Sequence, residues 1–283
     1  MKKIIALAVA SAFVAPAFAA DVTVSGLSEF YYKDSNGATS TGFGDHALYF
    51  GASTETSNGL TVSVDMNITG QGGDDSSDSI NVAGPFGQLE LGDTSGAADK
   101  YDDRIDKDVV IGTIGTPGSD AGIGWTLPTL VEGLSVYVSH SADTLDYGDG
   151  DAAHTGIALS YTAGPLNVAY GDNQADDDAN NEQYVGGTVT FGGLSVSAEQ
   201  MTLGASGAET KTRGLGLTYS MGDLTLAVST QEDKDANGAV EDDLTFVGVK
   251  YNLGGGVTAF AETSSDSKDA SEDVTAAGIA IAF

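Results

Sequence analysis

Apolar and polar residues alternate along much of this chain. Leu60, Val62, Val64, Met66 and Ile68 share one parity, and Thr61, Ser63, Asp65 and Asn67 share the other. Successive side chains of a strand point to opposite faces, so this segment reads as a strand with one greasy and one wet side. The same split recurs in Leu194, Val196 and Ala198 against Ser195, Ser197 and Glu199, and in Leu224, Leu226 and Val228 against Thr225, Ala227 and Ser229. Along the whole chain it predicts sixteen strands, approximately over 22–33, 44–55, 59–69, 79–84, 88–93, 121–128, 133–141, 153–162, 165–172, 182–191, 193–203, 210–220, 223–231, 243–252, 256–264 and 273–283. A carboxylate such as Asp65 at the centre of a polar face wants water. Alternation alone fits a soluble sandwich with the apolar face buried, or a membrane barrel with that face toward lipid.

A longer period separates the two. Tyr161, Phe191, Tyr219, Tyr251 and Phe283 each end an alternating run, at spacings of 30, 28, 32 and 32 residues. A spanning strand needs ~9–11 residues, so two strands, a tight turn and a longer loop fill one such repeat. Connections alternate between short ones, around Asn58, Pro85, Pro128, Gly164, Gly192, Gly222 and Gly254, and longer polar ones. An up-and-down barrel with one quiet rim and one loop-bearing rim requires this alternation, and the aromatics would girdle the quiet rim. Past residue 20 no apolar run approaches the ~18 residues of a spanning helix, so a membrane protein built this way must be a closed sheet.

The first residues give an address. Lys2 and Lys3 precede an apolar stretch from Ile4 to Val14, and Ala17-Phe18-Ala19 supplies the small residues of a cleavage site. Residues 1–19 therefore read as a cleaved signal peptide and 20–283 as one barrel domain. The formal charge is −30, with 41 acidic residues against 11 basic ones, and loss of Lys2 and Lys3 makes the mature chain more acidic still. Such a chain is no nucleic-acid binder. It has no cysteine, hence no disulfide framework and no thiolate metal site. Most of the acids lie between the predicted strands, which keep their apolar faces nearly free of charge.

Catalysis finds little support. His46, His140 and His154 fall near strand ends beside the loops, without a nucleophile motif or ligand spacing, and read as solvated rim residues. No phosphate-cradling glycine loop and no dinucleotide fingerprint is present, so the chain is read as a non-enzyme.

The signal sequence, the terminal strand ending on Phe283 and the segment Phe86-Gly87-Gln88-Leu89-Glu90-Leu91-Gly92-Asp93 leading into a long acidic loop resemble the general diffusion porins of Gram-negative bacteria, especially the Rhodobacter-type alphaproteobacterial porins. The resemblance covers the mature chain. It implies an all-β, transmembrane antiparallel up-and-down barrel of sixteen strands in the outer membrane, assembled as a homotrimer, with a third loop folded into the lumen. It also implies a water-filled channel for passive diffusion of small hydrophilic solutes and ions, surrounded by outer-membrane lipid and lipopolysaccharide.

The third-loop candidate is 94–120, by far the longest connection, and loops of this length are usually functional or disordered. Ala97, Ala98, Tyr101, Ile105, Val109, Val110, Ile111 and Ile114 make it too apolar for a free excursion. The barrel interior offers them a wall; the alternative is an external flap over a subunit contact. Along it Asp99, Asp102, Asp103, Asp106 and Asp108 outnumber Lys100, Arg104 and Lys107, and rings of carboxylates favour cations. By parity the inward basic residues on the wall are Lys33 and Lys250, set against Glu29, Asp65, Glu90, Glu199 and Glu262. The family pattern would place a basic cluster opposite the loop; this chain departs from it toward a net acidic lumen and cation selectivity. Lys211 and Arg213 share parity with Leu215 and Leu217, hence the outer face near the loop rim.

One loop resembles half of a calcium site. Asp233, Asp235 and Asn237, followed by Gly238, match the alternating ligands and sharp turn of a calcium loop, but the twelfth position is Leu244. Asp146-Tyr147-Gly148-Asp149-Gly150-Asp151 is a looser relative. No cofactor is required by this reading, and Ca2+ is an option for the crown. The competing function is an acidic outer-membrane barrel that binds calcium or lipopolysaccharide without an open pore.

Overall fold

The computed structural model describes residues 21–70, 79–102, 105, 120–141, 153–176, 178–269 and 273–283. The predicted signal peptide 1–19 and the string from Asp146 to Asp151 lie outside them. So do Asp103, Arg104, Asp106, Lys107 and Asp108.

Sixteen strands form, in the order that alternation predicts: β1 (Asp21–Ser35), β2 (Ala38–Glu55), β3 (Thr61–Thr69), β4 (Ser79–Gly84), β5 (Gly87–Ser95), β6 (Asp120–Thr126), β7 (Leu134–Ser141), β8 (His154–Ala163), β9 (Leu166–Ala175), β10 (Glu182–Phe191), β11 (Leu194–Leu203), β12 (Thr210–Met221), β13 (Leu224–Lys234), β14 (Val240–Gly254), β15 (Val257–Asp266) and β16 (Val274–Ala282). Each pairs antiparallel with its sequence neighbours, and β1 closes on β16 with Phe30 opposite Ile279. Closure leaves no strand without a neighbour on either side, as a lipid environment demands. Helix is confined, among the described residues, to a single 3-10 turn at Asp178–Asn180.

The faces sort as a membrane barrel. On β8, His154, Gly156, Ala158 and Ser160 are buried inside, and Thr155, Ile157, Leu159 and Tyr161 are exposed outside. Tyr161, Phe191, Tyr219, Tyr251 and Phe283 are all exposed at the short-turn rim. Exposed Val, Leu, Ile and aromatic side chains around a whole circumference are intolerable in water but suited to lipid.

Two details differ from the sequence reading. The first connection at the loop rim is only Asn36 and Gly37, because β1 and β2 run on to meet there. Asn36 (φ 50°) and Gly37 (φ 85°) both adopt left-handed backbone, the geometry of a two-residue hairpin turn. Asp34 caps the turn by accepting from Gly37 N at 2.8 Å. Polar strand residues there looked like loop because both faces meet water. Among the histidines, His46 and His140 are exposed and bonded to Ser28 and Thr155, whereas His154 is buried inside the barrel rather than solvated.

Candidate functional site in the barrel lumen

The connection after β5 turns inward. Its backbone turns sharply at Gly96, with Asp99 N and Lys100 N both donating to Gly96 O. Ala97 N lies 2.9 Å from both Ser139 Oγ on β7 and Asn173 Oδ1 on β9. Tyr101 OH meets Ser135 Oγ at 2.9 Å, and Tyr184 OH on β10 lies 3.1 Å from the Asp102 carbonyl. At the loop's root Tyr137 donates to Ser95 O at 2.7 Å. The described part of the third loop is thus tied to the inner wall by bonds from β7, β9 and β10.

Packing decides where it lies. Ala97 and Ala98 are fully buried, and Ile105 is 1% exposed. The wall beneath carries glycine where the loop backbone and Ile105 come closest. A Cβ on Gly171 would come within 2.3 Å of Ala97 O, one on Gly156 within 2.6 Å of Ala97 Cβ, and one on Gly214 within 2.2 Å of Ile105 Cδ1. Gly216 faces Ile105 from the same strand. Buried Tyr184 and Met201 complete the seat around Ala98. Burying Ile105 alone contributes about 1.5–3 kcal/mol. These inward glycines were invisible to motif reading. Their only signal is that they sit at wall positions where other strands carry polar side chains.

Charge follows the same geometry. Lys100 Nζ reaches Glu90 Oε2 at 2.8 Å and Oε1 at 3.1 Å, and it lies 4.4 Å from the ring centroid of Tyr137. Thr94 donates to the same carboxylate at 2.9 Å. Both partners of this pair are mostly shielded, so it holds the loop root more firmly than a surface ion pair would. Beside it Ser79, Asn81, Glu90, Asp93, Thr94 and Lys100 line a recess of about 320 Å³. Asp99 and Asp102 are both half-buried on the inserted segment.

Of the remaining wall residues, Glu199 on β11 is buried 3.1 Å from Tyr184 OH. The others stand on β1, β3, β14 and β15, away from the strands that the described loop touches, with Glu29 and Glu262 buried among their neighbours. Asp65 accepts from Asn81 Nδ2 at 3.1 Å. Glu29 accepts from Asp45 N at 3.1 Å and feels the charges of Asp45, Glu262 and Lys250. Glu262 is 4% exposed, and Lys33 is half-buried on β1. No cluster of bases stands on this wall among the described residues. Asp45, at a bulge in β2 opposite Glu29, is a further acid beside this wall.

In the calcium-like string one carboxylate closes its own turn. Asp235 Oδ1 accepts from Asn237 N at 2.9 Å and Ala239 N at 2.7 Å, and its Oδ2 accepts from Asn237 Nδ2 at 3.1 Å. These bonds hold the Asp235 carboxylate below the usual aspartate range, the Asn237 side chain contributing most. Asp233 belongs to the inner face of β13, bonded by Gln231 at 2.6 Å. Among the described residues no group of three acidic or histidine side chains is arranged to hold a metal ion.

A lipid-clad closed barrel with an inward loop lying on one wall defines a channel-type outer-membrane protein. Residues 6–271 match the family model of the Gram-negative porins, and the chain belongs to that family. Solved porins share the fold at low identity. The anion-selective porin of Comamonas acidovorans is 18% identical with a TM-score of 0.71, over 93% of this chain and 100% of that one. A loop-deletion form of OmpT, an outer-membrane protein of Vibrio cholerae, is 15% identical with a TM-score of 0.75, over 94% and 100%. A triple mutant of Rhodopseudomonas blastica porin is 17% identical with a TM-score of 0.69, over 93% and 100%. No curated protein matches by sequence.

Proposed function

We propose that this porin passes small hydrophilic solutes by diffusion and prefers cations. The observation that carries the reading is the placement of the third loop: its described stem lies against β7–β12, and the remaining wall bears Glu29, Asp65 and Glu262 against Lys33 and Lys250. An ion must pass between an acidic loop and an acidic wall, and carboxylates at close quarters favour cations. The loop-rim excess of acids adds a funnel that concentrates them. A related fold with the opposite preference, the Comamonas acidovorans porin, makes charge placement and not architecture the deciding variable.

The assembly in this reading is a homotrimer. Its support is the outer face of β1, β2, β15 and β16, where polar pairs interrupt the apolar surface: Ser28 with His46 at 2.8 Å and Thr263 with Thr275 at 3.1 Å. Ala259, Ala261 and Ala277 surround them. Polar and small residues on a lipid-facing sheet suit contact with another copy better than contact with acyl chains. Export by cleavage after residue 19 completes the proposal. The test is the reversal potential of purified protein in a planar bilayer under a potassium chloride gradient; anion preference would refute it.

A further inference from the structure

On the lipid side of β9–β14 the wall is dented. Gly187 on β10 and Ala198 on β11 stand opposite each other in the ladder, and Val168, Val185 and Leu215 rise around them to leave a groove of about 650 Å³. In water such a hollow would be a patch to explain; on a membrane barrel its neighbours are acyl chains.

The groove ends in charge. The outward stripe Met221, Tyr219, Leu217 and Leu215 of β12 stops at Arg213, which the register sets between Gln200 and Glu232, with Asp243 next across. Arg213 is exposed, and its Nε donates to Gln200 Oε1 at 2.8 Å. That bond fixes the guanidinium beside the groove while its two terminal amino groups remain available for a further acceptor. The neighbouring acids are engaged elsewhere. Glu232 is bonded by Lys234, and Asp243 accepts from Ser267 Oγ at 2.8 Å. Lys211 and Lys234 are cross-strand partners one rung higher. Three of the chain's eleven basic residues therefore gather on one outer patch of a protein whose formal charge is −30.

A guanidinium at the edge of an apolar band is costly unless an anion meets it, and its planar fork matches phosphate oxygens. From the groove and the rung together we infer that this face binds one phosphate-bearing lipid. Its acyl chain fills the hollow over Gly187 and Ala198, and its phosphate takes the free edge of Arg213 with Lys211 in support, while Lys234 keeps Glu232 neutralised. The site is independent of conduction, needing only a barrel seated in lipid.

The test is native mass spectrometry of the full-length mature protein in detergent, titrated with a diacyl phosphatidic acid. Two variants probe the two halves: Ala198→Leu fills the hollow and leaves the charges, and Arg213→Gln removes the charge and leaves the hollow. Each should weaken phosphatidic acid binding about tenfold or more, the value of one charge-assisted contact, with oligomer and β content unchanged. Inorganic phosphate should fail to displace the lipid, and diacylglycerol should not be retained. Equal retention of diacylglycerol, displacement by inorganic phosphate, or unchanged binding by both variants would overturn the proposal. Loss of the oligomer in both variants would also overturn it, by making the groove a subunit contact.

Discussion

The ring of Phe283 lies over Gly26: a Cβ added to that glycine would come within 2.5 Å of the ring's Cζ. The two residues also exchange backbone bonds, Gly26 N to Phe283 O at 2.8 Å and Phe283 N to Gly26 O at 3.0 Å. The last residue of the chain thus finishes the seam between β1 and β16. Deleting it removes two ladder bonds of ~1 kcal/mol each and bares Gly26. The truncated protein should show less heat-resistant oligomer on semi-native gels; normal oligomer yield would count against a role for this seam in assembly.

Lys100→Met should loosen the third loop at its root. It leaves the Glu90 carboxylate mostly shielded and short of its cation, at a cost of about 1–3 kcal/mol. Adding Glu90→Gln should recover part of that loss. Thermal unfolding of the two singles and the double gives the coupling, and an additive double would show that the pair does not act as a unit.

Gly171→Val should unseat the stem of the loop, because the new side chain needs the space that Ala97 and Ala98 occupy. The expected phenotype is a larger sugar exclusion limit in liposome swelling, with barrel content unchanged by circular dichroism. Trimming 106–117 should act in the same direction. Unchanged permeability in both variants would mean that the loop is not the narrowest point.

Cation preference should weaken with salt without vanishing. The Debye length falls from ~30 Å at 0.01 M to ~3 Å at 1 M, which screens the acidic rim, while carboxylates in a narrow passage stay close to every ion. Replacing Asp102, Asp103 and Asp106 with Asn should remove much of the high-salt residue. Reversal potentials at both salt concentrations decide this.

The Asp235 turn should loosen in acid. Its carboxylate is held below the ordinary aspartate range by Asn237 and Ala239, so the stabilisation is present above the unfolded value and is lost as pH falls through the lowered folded one. Amide exchange at Ala239 should accelerate in that window, and Asp235→Ala should abolish the pH dependence.

The sheet was legible because parity is a strong and redundant signal: Val62, Val64, Met66 and Ile68 cannot be moved inward without moving Asp65 and Asn67 into lipid. The aromatic spacing then fixed the short-turn rim. The seat of the loop was not legible, since an inward glycine such as Gly214 looks like any other strand glycine until Ile105 lies on it. Parity also failed at the β2 bulge, beyond which Phe43 pairs with Phe30 on the outer face although its number has the parity of the buried Ala47. The calcium-like string was not decidable by sequence, because an aspartate that closes its own turn and one that awaits an ion have the same sequence neighbours.

The seat of the third loop also sets an order of events. Ala97 bonds a residue 76 positions further along, and Tyr184 reaches back 82 positions to Asp102. Contacts so distant in sequence form late, because the intervening chain must first be brought into place. Until β9–β12 join the sheet, Ala98 and Ile105 have nothing to cover them, and a half-built barrel carries them as exposed apolar surface of the kind that promotes aggregation. Seating of the loop therefore marks the moment at which its own stretch of wall, β7 to β12, is in place, and a chain stalled before β12 remains exposed to proteases and chaperones at its middle and not only at its unfinished end.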